Sequence, residues 1–149
     1  MVPIEGGVMV IIGMGTQVLE CARVRGLIEQ HAETFLQQVF DEQEIVFCNG
    51  QKHTTEYFTA LWAVKEAAFR ALGLTDARVH RWKDLVVLGS GIASLRLQVQ
   101  GGTREQVDRR GIQQFLVAAA YCRTFATATV LALASDFSPV SLRDTAAEL

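Results

Sequence analysis

The chain has 149 residues, half of them hydrophobic, and a formal net charge of -2 at pH 7. That is enough apolar material for one domain with a core of its own, and the charge excludes a generally basic nucleic-acid binder. No apolar run reaches the ~20 residues of a membrane-spanning helix, and no basic stretch with an apolar segment behind it marks a secretory signal.

Cys21, Cys48 and Cys122 are odd in number and far apart, without metal-ligand pairing. They read as reduced thiols of a cytoplasmic protein. In chain order, residues 8–14 form a short run rich in Val and Ile, which predicts a buried strand. Gly13-Met14-Gly15 lacks the third small residue of a dinucleotide loop, since position 18 is Val. The glycine pair is expected to turn the chain instead.

Val24, Leu27, Ile28, Ala32, Phe35, Leu36, Val39 and Phe40 recur at helical spacing. Thr34 with Gln37 would form a capping box that divides this segment into two helices, and Asp41 with Glu44 repeats the device for a short helix ending near Asn49-Gly50. Phe58, Leu61, Trp62, Phe69 and Leu72 then make the apolar stripe of a longer helix, which Thr54 or Thr55 can cap at its start and Gly73 at its end. Lys65 lies inside that stripe. A charge there needs a partner, a route to water or a task. The simplest account is a lysine that snorkels, beside a surface pair of Glu66 with Arg70.

Beyond Gly73 the pattern changes. Strands are expected over 82–88 and 95–99 around a Gly89-Ser90-Gly91 turn, and Leu95, Leu97 and Val99 alternate. A short polar helix is expected over 103–110. A hairpin should pair 115–121 with 125–134 through Cys122-Arg123-Thr124. Alanines at 118, 119, 120, 126, 128, 132 and 134 make these strands thin, so helices or a second subunit can approach closely. The expected fold class is α+β: one domain over 1–134, helices packed on a mainly antiparallel sheet, with a tail over 135–149.

Lys65-Glu66-Ala67 on an apolar helix resembles the signature of the 4'-phosphopantetheinyl transferases. With Gly13-Met14-Gly15-Thr16 after an opening strand, nearly the whole chain is similar to their small branch, the holo-acyl-carrier-protein synthases. The resemblance implies transfer of the 4'-phosphopantetheine arm of coenzyme A to a serine of an acyl carrier protein, as in fatty acid biosynthesis. It also implies a homotrimer and a magnesium ion held by two acids. Glu66 matches one of these acids and is expected to act in catalysis with Lys65. Lys65, Arg70, Gly73 and Tyr121 fall where the cofactor is bound. Gln17 stands in place of the second acid, and Glu20 would assist it as a metal ligand if the intervening turn were helical. Gln17 and Glu66 should therefore meet.

Other positions depart from the family pattern. Leu61 replaces a basic residue, Ala120-Tyr121-Cys122 replaces Ser-His-Thr, and Gly91-Ile92-Ala93 replaces Gly-x-Pro. Residues 26–51 contain no Lys or Arg, but they hold Glu29, Glu33, Asp41, Glu42 and Glu44. Like charge there would disfavour an acidic carrier protein, leaving Arg23 and Arg25 to meet it. A divergent transferase is one expectation. A catalytically inactive relative that binds a carrier or acyl-pantetheine group, or has a structural role, is another, and different chemistry in the inherited site is a third.

Overall fold

The computed structural model describes residues 2–4, 7–76 and 81–135. Of the expected tail only Ser135 falls among them, and it closes the last strand. Strand β1 (Val2–Ile4) pairs with β2 (Gly7–Glu20). Helices α1 (Cys21–Val39), α2 (Glu42–Asn49) and α3 (Thr54–Ala71) follow. Next come β3 (Leu85–Leu88), β4 (Arg96–Val99), α4 (Gly101–Arg109), β5 (Ile112–Tyr121) and β6 (Phe125–Ser135). Among the described residues every strand pair is antiparallel. The α+β class is as expected, and the described residues form two sheets rather than one: β1-β2-β6-β5, and β3 with β4.

Helix α3 packs on β2 and β6 of the larger sheet and also meets α1, α2 and β3. That position explains its composition, because a helix covered on several sides must be apolar nearly all round. Besides the expected stripe, Ala60, Ala63, Val64, Ala67, Ala68 and Ala71 are buried. A chain of aromatic edges fills one side. Phe35 meets Trp62 with ring centroids 5.3 Å apart, Trp62 meets Trp82 at 6.0 Å, and Trp82 meets Phe69 at 5.4 Å.

The glycine pair does not turn the chain. Strand β2 runs through Gly13-Met14-Gly15 to Glu20, with a register irregularity between Ile11 and Gly13. A Cβ on Gly13 would lie 2.1 Å from the Ala71 carbonyl oxygen, and one on Gly15 would lie 1.8 Å from that of Ala67. The glycines let the backbone of α3 come down onto the strand. No periodicity in the sequence distinguishes that use from a turn.

Several caps agree with expectation. Asp41 and Glu44 form a complete capping box at α2. Gly73, at φ 73°, ends α3 with its N–H on the Arg70 carbonyl at 3.0 Å, while the Leu74 N–H reaches the Phe69 carbonyl at 2.8 Å. His53, rather than Thr54 or Thr55, occupies the N-cap. The break in α1 comes at Ala32 (φ 39°, ψ -119°), two residues before Thr34. Trp82–Asp84 is a single 3-10 turn rather than strand. The Asp84 carboxylate accepts from the Thr103 N–H and hydroxyl at 3.1 and 2.8 Å, an arrangement that ties this turn to the start of α4.

Candidate active site

Strand register distributes the candidate residues between two faces. Gln17, Ala128 and Ala119 form one row across β2, β6 and β5, and Leu19, Ala126 and Tyr121 form the next row on the same face. This is the face on which the Gly13 and Gly15 backbone touches α3. Glu20 is three residues from Gln17 in a continuous strand and therefore falls on the opposite face, where it is exposed. The helical turn that would bring Glu20 round to Gln17 is absent, so the expected help from Glu20 is not available.

Gln17 and Glu66 do meet. The Gln17 side-chain amide donates from Nε2 to Glu66 Oε2, and both residues are half-buried. The tight seam between Gly15 and Ala67 places these side chains together across 49 positions of sequence. Among the described residues no group of three or more His, Cys, Asp or Glu gathers to hold a metal. At this spot the chain offers one carboxylate and one neutral carboxamide. Oxygen donors are what a hard divalent cation such as magnesium takes, with water to complete its shell. Glu66 would supply an anionic oxygen, and Gln17 could add its carbonyl oxygen by turning the amide whose Nε2 faces Glu66.

Lys65 does not join them. Consecutive helix residues point about 100° apart, and the Lys65 ammonium is fully buried among α1, α2 and the turn before β3. It donates to the Val39 carbonyl at 2.6 Å, Glu44 Oε1 at 2.7 Å and the Trp82 carbonyl at 3.2 Å. Three ammonium protons meet three acceptors. None is left for a phosphate, which corrects the expected catalytic and cofactor-binding placement of Lys65. Nor does it snorkel, because side-chain exposure is zero for both partners of the ion pair.

Glu44 is equally well satisfied. Its carboxylate also accepts the Asp41 N–H at 2.8 Å and the Val87 N–H at 2.9 Å. Loss of hydration pushes the Glu44 carboxyl above its ordinary range, against the pull of Lys65 and the two backbone donors. The same loss draws Lys65 below its own range, against the attraction of Glu44. Sequence spacing gave Glu44 only a capping function. The apolar surroundings of Lys65 were the available signal, and a buried partner was one of the three outcomes they allowed.

Arg70 is exposed one turn beyond Glu66, and Gly73 is exposed at the helix end. Arg110 arrives beside them: its Nη1 donates to the Ala71 carbonyl at 3.4 Å. Sequence reasoning had assigned Arg110 only to a polar helix, and its approach depends on α4 and β5. Tyr121 lies in an aromatic group, 5.3 Å from Tyr57 and 6.1 Å from His53 between centroids. Leu61 is fully buried in the core. The acidic window is also less charged at the surface than its composition implies. Glu44 is internally paired and Asp41 caps α2, which leaves Glu29, Glu33 and Glu42 exposed. Arg23 lies over the Trp62 ring with its guanidinium carbon 5.5 Å from the centroid, and Arg25 is 3.9 Å from Glu56.

Comparison with known proteins bears on the family and the fold. The family model of the 4'-phosphopantetheinyl transferase superfamily matches residues 13–129. The holo-[acyl-carrier-protein] synthase of Rhodopirellula baltica is 32% identical over 127 residues, covering 83% of this chain and 98% of the relative. Two solved structures share the fold. The holo-[acyl-carrier-protein] synthase of Neisseria meningitidis superposes with a TM-score of 0.74 at 16% identity, over 83% of this chain and 98% of that one. That of Helicobacter pylori in complex with coenzyme A gives 0.69 at 21% identity, over 80% and 98%. The match over most of the length, together with Glu66 on α3 against the strand that follows Gly13 and Gly15, places the chain in a family: it belongs to the 4'-phosphopantetheinyl transferase superfamily.

Proposed function

We propose that this chain is a holo-acyl-carrier-protein synthase that transfers the 4'-phosphopantetheine arm of coenzyme A to a serine of an acyl carrier protein and releases 3',5'-ADP. The observation that carries this is the pairing of Glu66 with Gln17, supported by a relative of that name matched along nearly its whole length. Transfer requires the serine oxygen to attack a phosphorus whose oxygens are negatively charged. A magnesium ion beside Glu66 would reduce that repulsion and neutralise charge on the departing nucleotide. Within the chain, Glu66 holds the anionic corner of the site, and Arg70 and Arg110 supply positive charge at the end of α3. Tyr121 and His53, backed by the buried Tyr57, offer aromatic faces for the nucleotide. Lys65 acts from within the core by fixing the rotation of α3 that presents Glu66.

The open sheet face supports reading the protein as a homotrimer. Met14, Val18, Phe125 and Leu116 stand 63, 58, 44 and 39% exposed on the side away from α3, and a cluster of large apolar residues marks an interaction surface. Rows of Thr16, Thr129 and Ala118, and of Val18, Thr127 and Ala120, make much of that face small-sided. A second copy can therefore approach closely. The three cysteines are free in the fold, which suits a reducing cytoplasm.

Mass spectrometry tests the activity. An acyl carrier protein incubated with the chain, coenzyme A and magnesium should gain the mass of phosphopantetheine less one water on its serine. Loss of that gain in Glu66→Gln would place the chemistry at this residue. No gain with any carrier by a folded wild-type chain would overturn the proposal.

A further inference from the structure

The orientation of the Gln17 amide has a specific chemical content. Its Nε2 donates to Glu66 Oε2, while its Oε1 accepts from the Val18 N–H at 3.2 Å. The reverse orientation would set one oxygen against another with no proton between them, so the donor must face the carboxylate. A divalent cation requires the opposite, because its ligands here are oxygens. The contact is also built into the fold. Gln17 sits on the strand that pairs with β6, and the Gly15–Ala67 seam fixes its separation from α3.

We propose that Gln17 gates Glu66. In the free chain its amide N–H occupies the carboxylate, and the site holds no divalent cation by itself. When a pyrophosphate-bearing substrate brings the cation, the amide turns about Cγ–Cδ and offers Oε1 instead. Cation and coenzyme A then load as one unit. This rests on the proposed coenzyme A site and adds the order in which that site fills. The physical reason is charge. A single carboxylate that already accepts a hydrogen bond attracts a small, strongly hydrated dication weakly, whereas substrate phosphates add the missing anionic oxygens.

Manganese is the probe, because its free aquo ion gives a paramagnetic resonance signal that vanishes on binding. The wild-type chain is titrated alone and with coenzyme A, without carrier protein, against coenzyme A alone as control. Calorimetry then measures coenzyme A affinity with manganese and with chelator. The expected result is no manganese binding to the free chain in the micromolar range. Each ligand should tighten the other by the same factor, of about 10- to 100-fold, since coupling between two bound ligands is reciprocal. Gln17→Asp should bind manganese without coenzyme A, and its coupling factor should fall toward one. If that variant fails to fold, Gln17→Ala takes its place. It removes the amide donor without adding charge, so manganese binding to the free chain should strengthen and the coupling factor fall. Coupling unchanged from wild type would overturn the gate. Manganese held equally tightly with and without coenzyme A would overturn the gate, as would full coupling retained in Gln17→Asp. Coenzyme A binding that ignores manganese would also overturn it while leaving the coenzyme A site intact. No coenzyme A binding under any condition would overturn both.

Discussion

Lys65 and Glu66 are neighbours on one helix with opposite surroundings. Lys65 ends fully buried, where every proton has an acceptor and its partner Glu44 has three donors. Glu66 ends half-exposed against a single neutral amide. A completed pair of this kind fixes the position of a helix and has no capacity left for a ligand. An incomplete one retains attraction for a cation or phosphate-bound metal. The contrast shows how one dipeptide can serve both architecture and chemistry: the step of about 100° between residues aims one side chain at the core and the other at the sheet.

The largest effect should come from breaking the completed side. Lys65→Met leaves Glu44 buried without its counter-charge, which costs about 3–5 kcal/mol. Tm should fall by roughly 10 °C or more. Lys65→Met combined with Glu44→Leu should recover part of that loss, because the unpaired buried charge is removed. An unchanged Tm for Lys65→Met, with coenzyme A binding lost, would move Lys65 into the chemistry and erase the contrast.

Gly15→Ala attacks the seam that positions Glu66. The added Cβ meets the Ala67 backbone carbonyl, and backbone cannot yield as a side-chain tip can. Stability should fall by about 3 kcal/mol, the upper end of ordinary overpacking, as measured by urea denaturation. Transfer should decline with it as α3 lifts from β2. A variant as stable and active as wild type would show that the seam tolerates separation.

Val18→Lys lies one residue beyond Gln17 but on the other face of the strand. It should change the stability of the monomer fold by no more than about 0.5 kcal/mol, as exposed substitutions usually do. The proposed trimer should dissociate, and light scattering should report monomer at micromolar concentration. A trimer that survives the charge would exclude this face as the contact, and a wild-type monomer would defeat the assembly itself.

The smallest perturbation probes the edge of the same sheet. Backbone N–H groups of Phe125 and Thr124 hold the exposed Cys122 thiol below its ordinary range, whereas burial raises Cys21 and Cys48. Iodoacetamide should therefore label Cys122 alone in the native protein. Its rate should rise with pH and level off earlier than for an ordinary thiol, since the thiolate is the reactive form. Equal labelling of Cys21, whose Sγ lies 3.7 Å from the Cys122 carbonyl, would mean that the end of β2 opens.

Local chemistry determined much of this protein. The Asp41–Glu44 capping box, the Gly73 helix end, the hairpin of β5 and β6 and the apolar pattern of α3 depend on contacts within a few residues, so they could be read from the sequence. The pairing of Gln17 with Glu66 was also legible, but only through family resemblance, because no spacing rule spans 49 positions. Tertiary structure alone decided three things. It gave Gly13 and Gly15 to helix approach rather than to a turn, because the obstacle is a carbonyl on another element. It put Glu20 on the far face, because the strand continued and side chains alternate. It withdrew Lys65 from the site by supplying Glu44, Val39 and Trp82 as acceptors from three separate segments. A buried charge announces in the sequence that it needs a partner, and only packing, by bringing distant segments together, chooses which one.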